Sequence, residues 1–194
     1  MPHIAYERNE ITFKLVYYGP GMSGKTTNLA CIHERLDDSV ERGEMVSLDT
    51  DEDRTLFFDF FPLELGTVNG FAIRFNMYTV PGQVYYEASR RLILDGADGV
   101  VFVADSQPSR LEDNKRSLRA MLENLHSYFL EPETFPMVLQ YNKRDCVAPL
   151  DTNTLLADLP RPDVPVFEAV AIEGRGVMET VHSLSRQVIE RFQL

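Results

Sequence analysis

One glycine-rich segment constrains the fold more than any other part of this 194-residue chain. The segment GPGMSGKT, Gly19 to Thr26, matches the pattern G-x-x-x-x-G-K-[ST]. It directly follows the apolar, β-rich run Ile11–Tyr18 and precedes a helical pattern from Lys25 to Leu36. A strand, a glycine-rich turn and a helix in this order present successive backbone N–H groups to phosphate oxygens. Because both flanking elements are present, a chance glycine-rich turn is a poor explanation of the pattern.

The residues of this segment, which we call the phosphate loop, have separate predicted roles. Lys25 is predicted to reach the terminal phosphates and to stabilise charge during catalysis, and the Thr26 hydroxyl to ligate Mg²⁺. The helix that starts at Lys25 directs its partly positive N-terminus at the same anions. The predicted phosphate-binding residues here are Gly19, Gly21, Ser23, Gly24, Lys25, Thr26 and Thr27.

Short β-rich runs alternate with amphipathic helical patterns along the rest of the chain. The run Gly99–Ala104 (GVVFVA) is continuously apolar, as in a strand buried on both faces. The alternation predicts an α/β fold with a mostly parallel sheet covered on both sides, and no repeat or linker interrupts a single domain, 1–194. The other strand candidates are Ile11–Tyr18, Phe71–Tyr78, Pro136–Tyr141 and Val164–Val170.

Composition excludes several classes of protein. Thirty acidic residues against nineteen basic ones give a net charge of −11, which argues against nucleic acid as the main partner. No apolar run approaches the ~20 residues that span a bilayer. Pro2 argues against N-terminal myristoylation and the ending RFQL against prenylation, so we expect no membrane anchor. Cys31 and Cys146 form no disulfide framework, and we expect a cytoplasmic protein.

A second motif, N-K-x-D, indicates which base is bound. The segment PMVLQYNKRD ends a buried strand pattern and places Asn142, Lys143 and Asp145 at the carboxyl edge of the sheet. Guanine presents an N1–H and a 2-amino group on one edge, and one carboxylate accepts from both. Adenine has no donor at N1, so Asp145 indicates guanine. We expect the Lys143 stem to cover the ring face, and Asn142 to bind the base or to brace the phosphate loop.

The segment TVPGQ after the strand FAIRFNMY is similar to the D-x-x-G-Q segment of small GTPases. By this likeness the Gly82 amide senses the γ-phosphate and Gln83 orients the attacking water. Thr79 stands where small GTPases have an aspartate that holds Mg²⁺ through a water. A hydroxyl contributes no charge to that task, which leaves the mode of Mg²⁺ retention open.

Residues 45–61, MVSLDTDEDRTLFFDFF, contain the remaining site candidates. Thr55 is the preferred candidate for the threonine that meets Mg²⁺ and the γ-phosphate, with Thr50 as the poorer choice. Arg54 is predicted either to act as an arginine finger or merely to neutralise the acidic turn before it. The phenylalanines in LFFDFF alternate in direction along a strand, so either both faces are buried or one face is a docking surface.

Together these motifs resemble the small Ras-like GTPases and, among them, the bacterial MglA family of gliding-motility and cell-polarity GTPases. The stretches that carry the resemblance are YYGPGMSGKTTNL, DRTLFFDFFPL, YTVPGQVYYEASRRLIL, GADGVVFVADSQ and QYNKRD. The resemblance implies a Ras-like G domain of the P-loop NTPase class, with a mostly parallel sheet of about six strands and about five helices. It also implies that the backbone N–H of Ala171 meets guanine O6 and that Thr79 is a feature of the family.

The resemblance further implies a switch without a lipid anchor that binds GTP and GDP with Mg²⁺. A dimeric Roadblock-fold partner would stimulate its slow hydrolysis and arrange Arg54, Thr55 and Gln83. The GTP form would engage polarity or motility effectors at a cell pole, and the protein alone would be a monomer. An alternative is a scaffold that binds guanine nucleotide without cycling, which Thr79 favours and Gln83 and Thr55 oppose. A P-loop ATPase or small kinase lacks support, because N-K-x-D indicates guanine.

Overall fold

Eight strands form one sheet in the computed structural model of the chain, which describes residues 2–36, 42–48, 58–82, 86–128, 130–159 and 163–192. The strands are β1 His3–Ala5, β2 Glu10–Tyr18, β3 Val46–Leu48, β4 Phe58–Val68, β5 Phe71–Thr79, β6 Gly99–Asp105, β7 Met137–Asn142 and β8 Val166–Glu168. The α-helices in these ranges are α1 Lys25–Arg35, α2 Glu87–Leu94, α3 Leu111–Ser127, α4 Asn153–Leu156 and α5 Val177–Arg191. None of these described helices is both long and apolar enough to cross a bilayer.

The strand order is β3-β4-β5-β2-β6-β7-β8, with β1 beside β2. Strands β5, β2, β6, β7 and β8 are parallel, whereas β4 runs antiparallel to β5 and β3 antiparallel to β4. The predicted mostly parallel α/β fold is therefore confirmed. The described residues form eight strands and not six, because the short strands β1 and β3 were not predicted. Strand β1 pairs with the start of β2, ahead of the point at which β6 joins it.

Helices cover the sheet on both faces. On one face, α1 packs against β4 and β5 and α5 against β6 and β7, in a core that includes the alternate β2 residues Phe13, Leu15 and Tyr17. On the other face, α3 packs against β6 and α2, in a second core that includes Val16 and Tyr18. All seven residues of β6 are buried, as the continuously apolar run predicts. Because β2, β5, β6 and β7 end at the same edge, the loops that follow them meet there.

The phenylalanine run opens β4, which forms a hairpin with β5. Residues Asn69 and Gly70 at the turn have φ of 51° and 85°, as a tight turn between twisted strands requires. Phe61 is fully buried with its ring 5.2 Å from that of His33 on α1. The half-buried Phe60 packs instead against Tyr78 on β5, with ring centroids 4.8 Å apart. The run therefore contributes side chains to both faces of the strand.

Candidate nucleotide-binding site

The phosphate loop connects the end of β2 to α1 at the carboxyl edge of the sheet. Its first and last glycines have φ of 149° and 99°, which side chains rarely adopt. A Cβ on Gly19 would collide with the carbonyl oxygen of Val103, and one on Gly24 with the side-chain amide of Asn142. Only glycine fits at either position. The loop is therefore held against the ends of β6 and β7, beside the exposed N-terminal residues Thr26 and Thr27 of α1.

The Lys25 ammonium group caps its own loop. Its Nζ donates to the carbonyl oxygens of Gly19, at 3.0 Å, and Pro20, at 2.7 Å. An ammonium group has three donors, so one remains for a phosphate oxygen. Burial lowers the pKa of Lys25 to about 7, although the nearby Asp59 carboxylate opposes this shift. A phosphate dianion at the loop would restore the charged form, because opposite charge raises the pKa of an amine.

The Thr26 hydroxyl, a predicted Mg²⁺ ligand, donates to a carboxylate that the sequence analysis did not identify. Thr26 Oγ1 lies 2.6 Å from Oδ2 of Asp59, the second residue of β4. Thr79, at the end of β5, donates to the same oxygen at 2.8 Å. The contact arises from the antiparallel pairing of β4 with β5, which brings Asp59 next to Thr79.

Gly82 lies directly against the phosphate loop. A Cβ added there would collide with backbone atoms of Gly21 and Pro20, so glycine is required for this close approach. On another side of the loop, Arg110 Nη2 donates to the Gly21 carbonyl at 2.8 Å. Sequence reasoning did not find Arg110, because an arginine in a polar turn carries no pattern of its own. Inside the loop, Ser23 is fully buried, and its Oγ has no hydrogen-bond partner among the described residues.

Asn142 links the phosphate loop to the segment around Ala171, which we call the base-binding segment because of the role predicted for Ala171. Its Nδ2 donates to the Ser23 carbonyl at 2.8 Å, and its Oδ1 accepts from the Ala171 N–H at 2.9 Å. Asn142 was predicted either to bind the base or to brace the phosphate loop, and its contact with Ser23 corresponds to the second role. The contact between Ala171 and guanine O6 stays a prediction, because in this structure the Ala171 N–H donates to Asn142.

The two charged residues of N-K-x-D have different surroundings. Lys143 Nζ lies 2.7 Å from Oδ2 of Asp105, a carboxylate with a 1% exposed side chain at the end of β6. Asp145 is exposed and has no hydrogen bond or ion pair to another described residue. Its carboxylate is therefore available to the two donors on the guanine edge. The base-binding role of both residues stays a prediction.

Four candidates lie outside the described residues: Thr50, Arg54, Thr55 and Gln83. Their predicted roles in Mg²⁺ binding and catalysis stay predictions. Among the described residues, no cluster of three or more His, Cys, Asp or Glu is arranged to hold a metal ion. Mg²⁺ in nucleotide sites is bound mainly by phosphates, water and one or two side-chain oxygens. Thr26 and Asp59 fit that donor set.

Comparison with known proteins identifies the family. The model of the ADP-ribosylation factor family matches residues 53–188. The mutual gliding-motility protein MglA of Myxococcus xanthus (strain DK1622) is 47% identical over 189 residues, which are 97% of this chain and 96% of that protein. The chain is a small GTPase of the family that includes MglA. The predicted resemblance is thus confirmed over nearly the whole chain.

Membership of this family gives the site its general chemistry. Small GTPases bind guanine nucleotide with Mg²⁺ and hydrolyse GTP. In this small GTPase the described parts of the site, from Gly19 to Thr26 and from Asn142 to Asp145, come together at one edge of the sheet. The position that carries a carboxylate in many small GTPases carries Thr79, and a carboxylate from another strand lies beside it.

Proposed function

We propose that this small GTPase is a nucleotide-controlled switch that regulates bacterial cell polarity or motility by binding effectors in its GTP form. The observation that carries the switch is the brace from Asn142 to both the phosphate loop and the base-binding segment, with Asp145 available beyond it. The name of its 47% identical relative, a mutual gliding-motility protein, supports the biological role. A cytoplasmic monomer recruited to a cell pole through partners fits this proposal.

The proposed mechanism is in-line attack of a water on the γ-phosphate. Gln83 orients the water, the Gly82 amide meets the γ-phosphate, and Lys25 stabilises the developing charge. Thr26 and Thr55 would hold Mg²⁺, which would supply further positive charge to the phosphates when bound. Slow intrinsic hydrolysis would be stimulated by a Roadblock-fold dimer that brings Arg54 onto the phosphates as a finger.

Base recognition can be tested by changing the Asp145 side chain together with the group at the 2-position of the base. Replacing Asp145 with asparagine, D145N, exchanges an acceptor oxygen for an NH₂ donor opposite the 2-position of the base. Xanthine has a carbonyl in place of the 2-amino group of guanine, so D145N should prefer xanthosine diphosphate and wild type guanosine diphosphate. Competition of both diphosphates against a fluorescent GDP measures this preference. An unchanged preference for GDP in D145N would contradict the assignment.

A scaffold that binds nucleotide permanently is the second candidate, and Thr79 in place of a carboxylate favours it. Single-turnover GTP hydrolysis with and without a cognate Roadblock-fold dimer separates the two functions. The switch predicts slow hydrolysis alone and an acceleration of roughly 10³-fold or more with the dimer, most of it lost in R54A. No hydrolysis with the dimer bound would establish the scaffold instead.

A further inference from the structure

We propose that Asp59 is a positioning residue for the metal ion, supplying from β4 the carboxylate that Thr79 lacks. This inference rests on the proposed use of Mg²⁺ with guanine nucleotide, and it explains how the metal is retained. Asp59 lies outside both the phosphate loop and the N-K-x-D motif.

The antiparallel hairpin places Asp59 at the site. Phe60 pairs with Tyr78 in the register of β4 and β5, so Asp59 and Thr79 are neighbours at the edge where the phosphate loop lies. The Asp59 backbone N–H donates to Thr79 Oγ1 at 2.8 Å, and Thr79 Oγ1 donates to Asp59 Oδ2 at 2.8 Å. These two hydrogen bonds therefore hold Asp59 against Thr79, and only 8% of the residue is exposed.

The same carboxylate oxygen prepares Thr26 for a cation. A hydroxyl has one proton and two lone pairs, and Thr26 Oγ1 donates its proton to Asp59 Oδ2 at 2.6 Å. The lone pairs are then free to face a metal ion bound between the loop and the phosphates. Removing a carboxylate that orients a direct metal ligand in this way typically weakens metal binding by roughly 10- to 100-fold.

Charge favours the same assignment. Mg²⁺ retains several waters, whose protons need acceptors, and an adjacent carboxylate provides both acceptor oxygens and negative charge. The Thr79 hydroxyl carries no negative charge, but its hydrogen bonds hold the Asp59 carboxylate in place. In this arrangement Asp59 on β4 supplies the carboxylate that other small GTPases have at the position of Thr79, and Thr79 on β5 positions it.

In the opposite role, the Asp59 carboxylate would obstruct the metal, because its hydrogen bond would keep the Thr26 hydroxyl from binding Mg²⁺. The two roles predict opposite effects of removing the charge. Supporting the metal requires that D59N bind Mg²⁺ more weakly, whereas obstruction requires that it bind Mg²⁺ more tightly.

Release of a fluorescent GDP into excess unlabelled GDP, measured from EDTA to saturating Mg²⁺, distinguishes these effects. In wild type, Mg²⁺ should slow release. In D59N, the Mg²⁺ concentration for half-maximal slowing should rise by at least ~10-fold, while release in EDTA stays close to wild type. The double variant D59N/T79D, which returns a carboxylate to β5, should recover most of the loss.

Asp98 provides a matched control at the other edge of the sheet, where its carboxylate accepts from the Lys14 N–H at 2.9 Å. D98N removes the same charge and should leave the Mg²⁺ midpoint unchanged. If D59N fails to retain GDP in EDTA, T79A replaces it: the carboxylate remains but loses its brace, and a smaller rise in the midpoint is expected.

Three outcomes would overturn the inference. An unchanged midpoint in D59N, or in T79A where that variant replaces it, would show that Asp59 does not support the metal. A lowered midpoint would show that Asp59 obstructs it. In both cases wild-type release would still slow with Mg²⁺, so the proposed function would stand. Absence of any Mg²⁺ effect on wild type would overturn the proposed use of the metal together with this inference.

Discussion

At the residue scale, Lys25 links protonation to folding. Its folded pKa of about 7 lies below the ordinary lysine value of 10.5, because burial penalises the charged form. Between these two values the unfolded chain holds a proton that the folded, nucleotide-free protein has lost. Stability therefore rises with pH from about 7 toward about 10.5.

We expect urea unfolding of the nucleotide-free protein to show this rise between about pH 7 and about pH 9. The variant K25M has no titrating group at the position, and other groups cancel in the comparison, so its stability should rise less over the same range. Equal slopes in wild type and K25M would contradict the lowered pKa.

Gly24 is a second residue whose chemistry follows from its surroundings. An alanine there combines a φ of 99° with a collision against the Asn142 amide, whereas Gly66, at 104°, has nothing within 4 Å of an added Cβ. Both alanine variants should lose about 1–2 kcal/mol of stability through backbone strain. G24A should lose more than G66A and also bind GDP more weakly. Denaturant unfolding and GDP titration measure the difference, and equal losses would show that the close approach is unimportant.

At the scale of elements, β4 has one deeply buried aromatic residue and one shared with its neighbouring strand. F61A removes a fully buried ring that packs against α1 and should cost about 3–5 kcal/mol of unfolding free energy. F60A removes a half-buried ring and serves as the comparison, with a clearly smaller loss. Urea unfolding with saturating GDP measures both. If F60A lost as much unfolding free energy as F61A, the assignment of Phe61 to the buried face and of Phe60 to the less buried face would be contradicted.

Elements with strong local patterns were predictable, and pairings between distant elements were not. The buried run Gly99–Ala104 and the predicted helix from Lys25 end within one residue of β6 and α1. The predicted strand Val164–Val170 is longer than β8, since only Val166–Glu168 pairs with β7. The contact of Asp59 with Thr26 depends on a strand register that no local pattern encodes. The turn at Asn69 and Gly70 was the available signal for that pairing, because this dipeptide favours tight hairpins.

At the scale of the whole molecule, the site gathers loops from β2, β5 and β7, so a bound nucleotide should stabilise the entire fold. A ligand that binds only the folded state adds about 4 kcal/mol when present at 1,000 times its dissociation constant. We expect GDP with Mg²⁺ to raise the urea midpoint of wild type and ADP to leave it nearly unchanged.

The variant D145N is the control for this stabilisation. Asp145 is exposed and has no hydrogen bond or ion pair to another described residue, so D145N without nucleotide should unfold at the wild-type midpoint. Its shift with GDP should be much smaller than that of wild type. A large shift with ADP would contradict guanine selectivity at the level of the whole protein.

The Asn142 brace has a consequence for how the two ends of a nucleotide are sensed. One side chain holds the Ser23 carbonyl in the phosphate loop and the Ala171 N–H in the base-binding segment. Ordering either segment therefore lowers the entropic cost of ordering the other. Guanosine and pyrophosphate, supplied as separate molecules, should each bind better in the presence of the other, and by the same factor. This mutual assistance should disappear in N142A, in which each fragment would bind as though the other were absent.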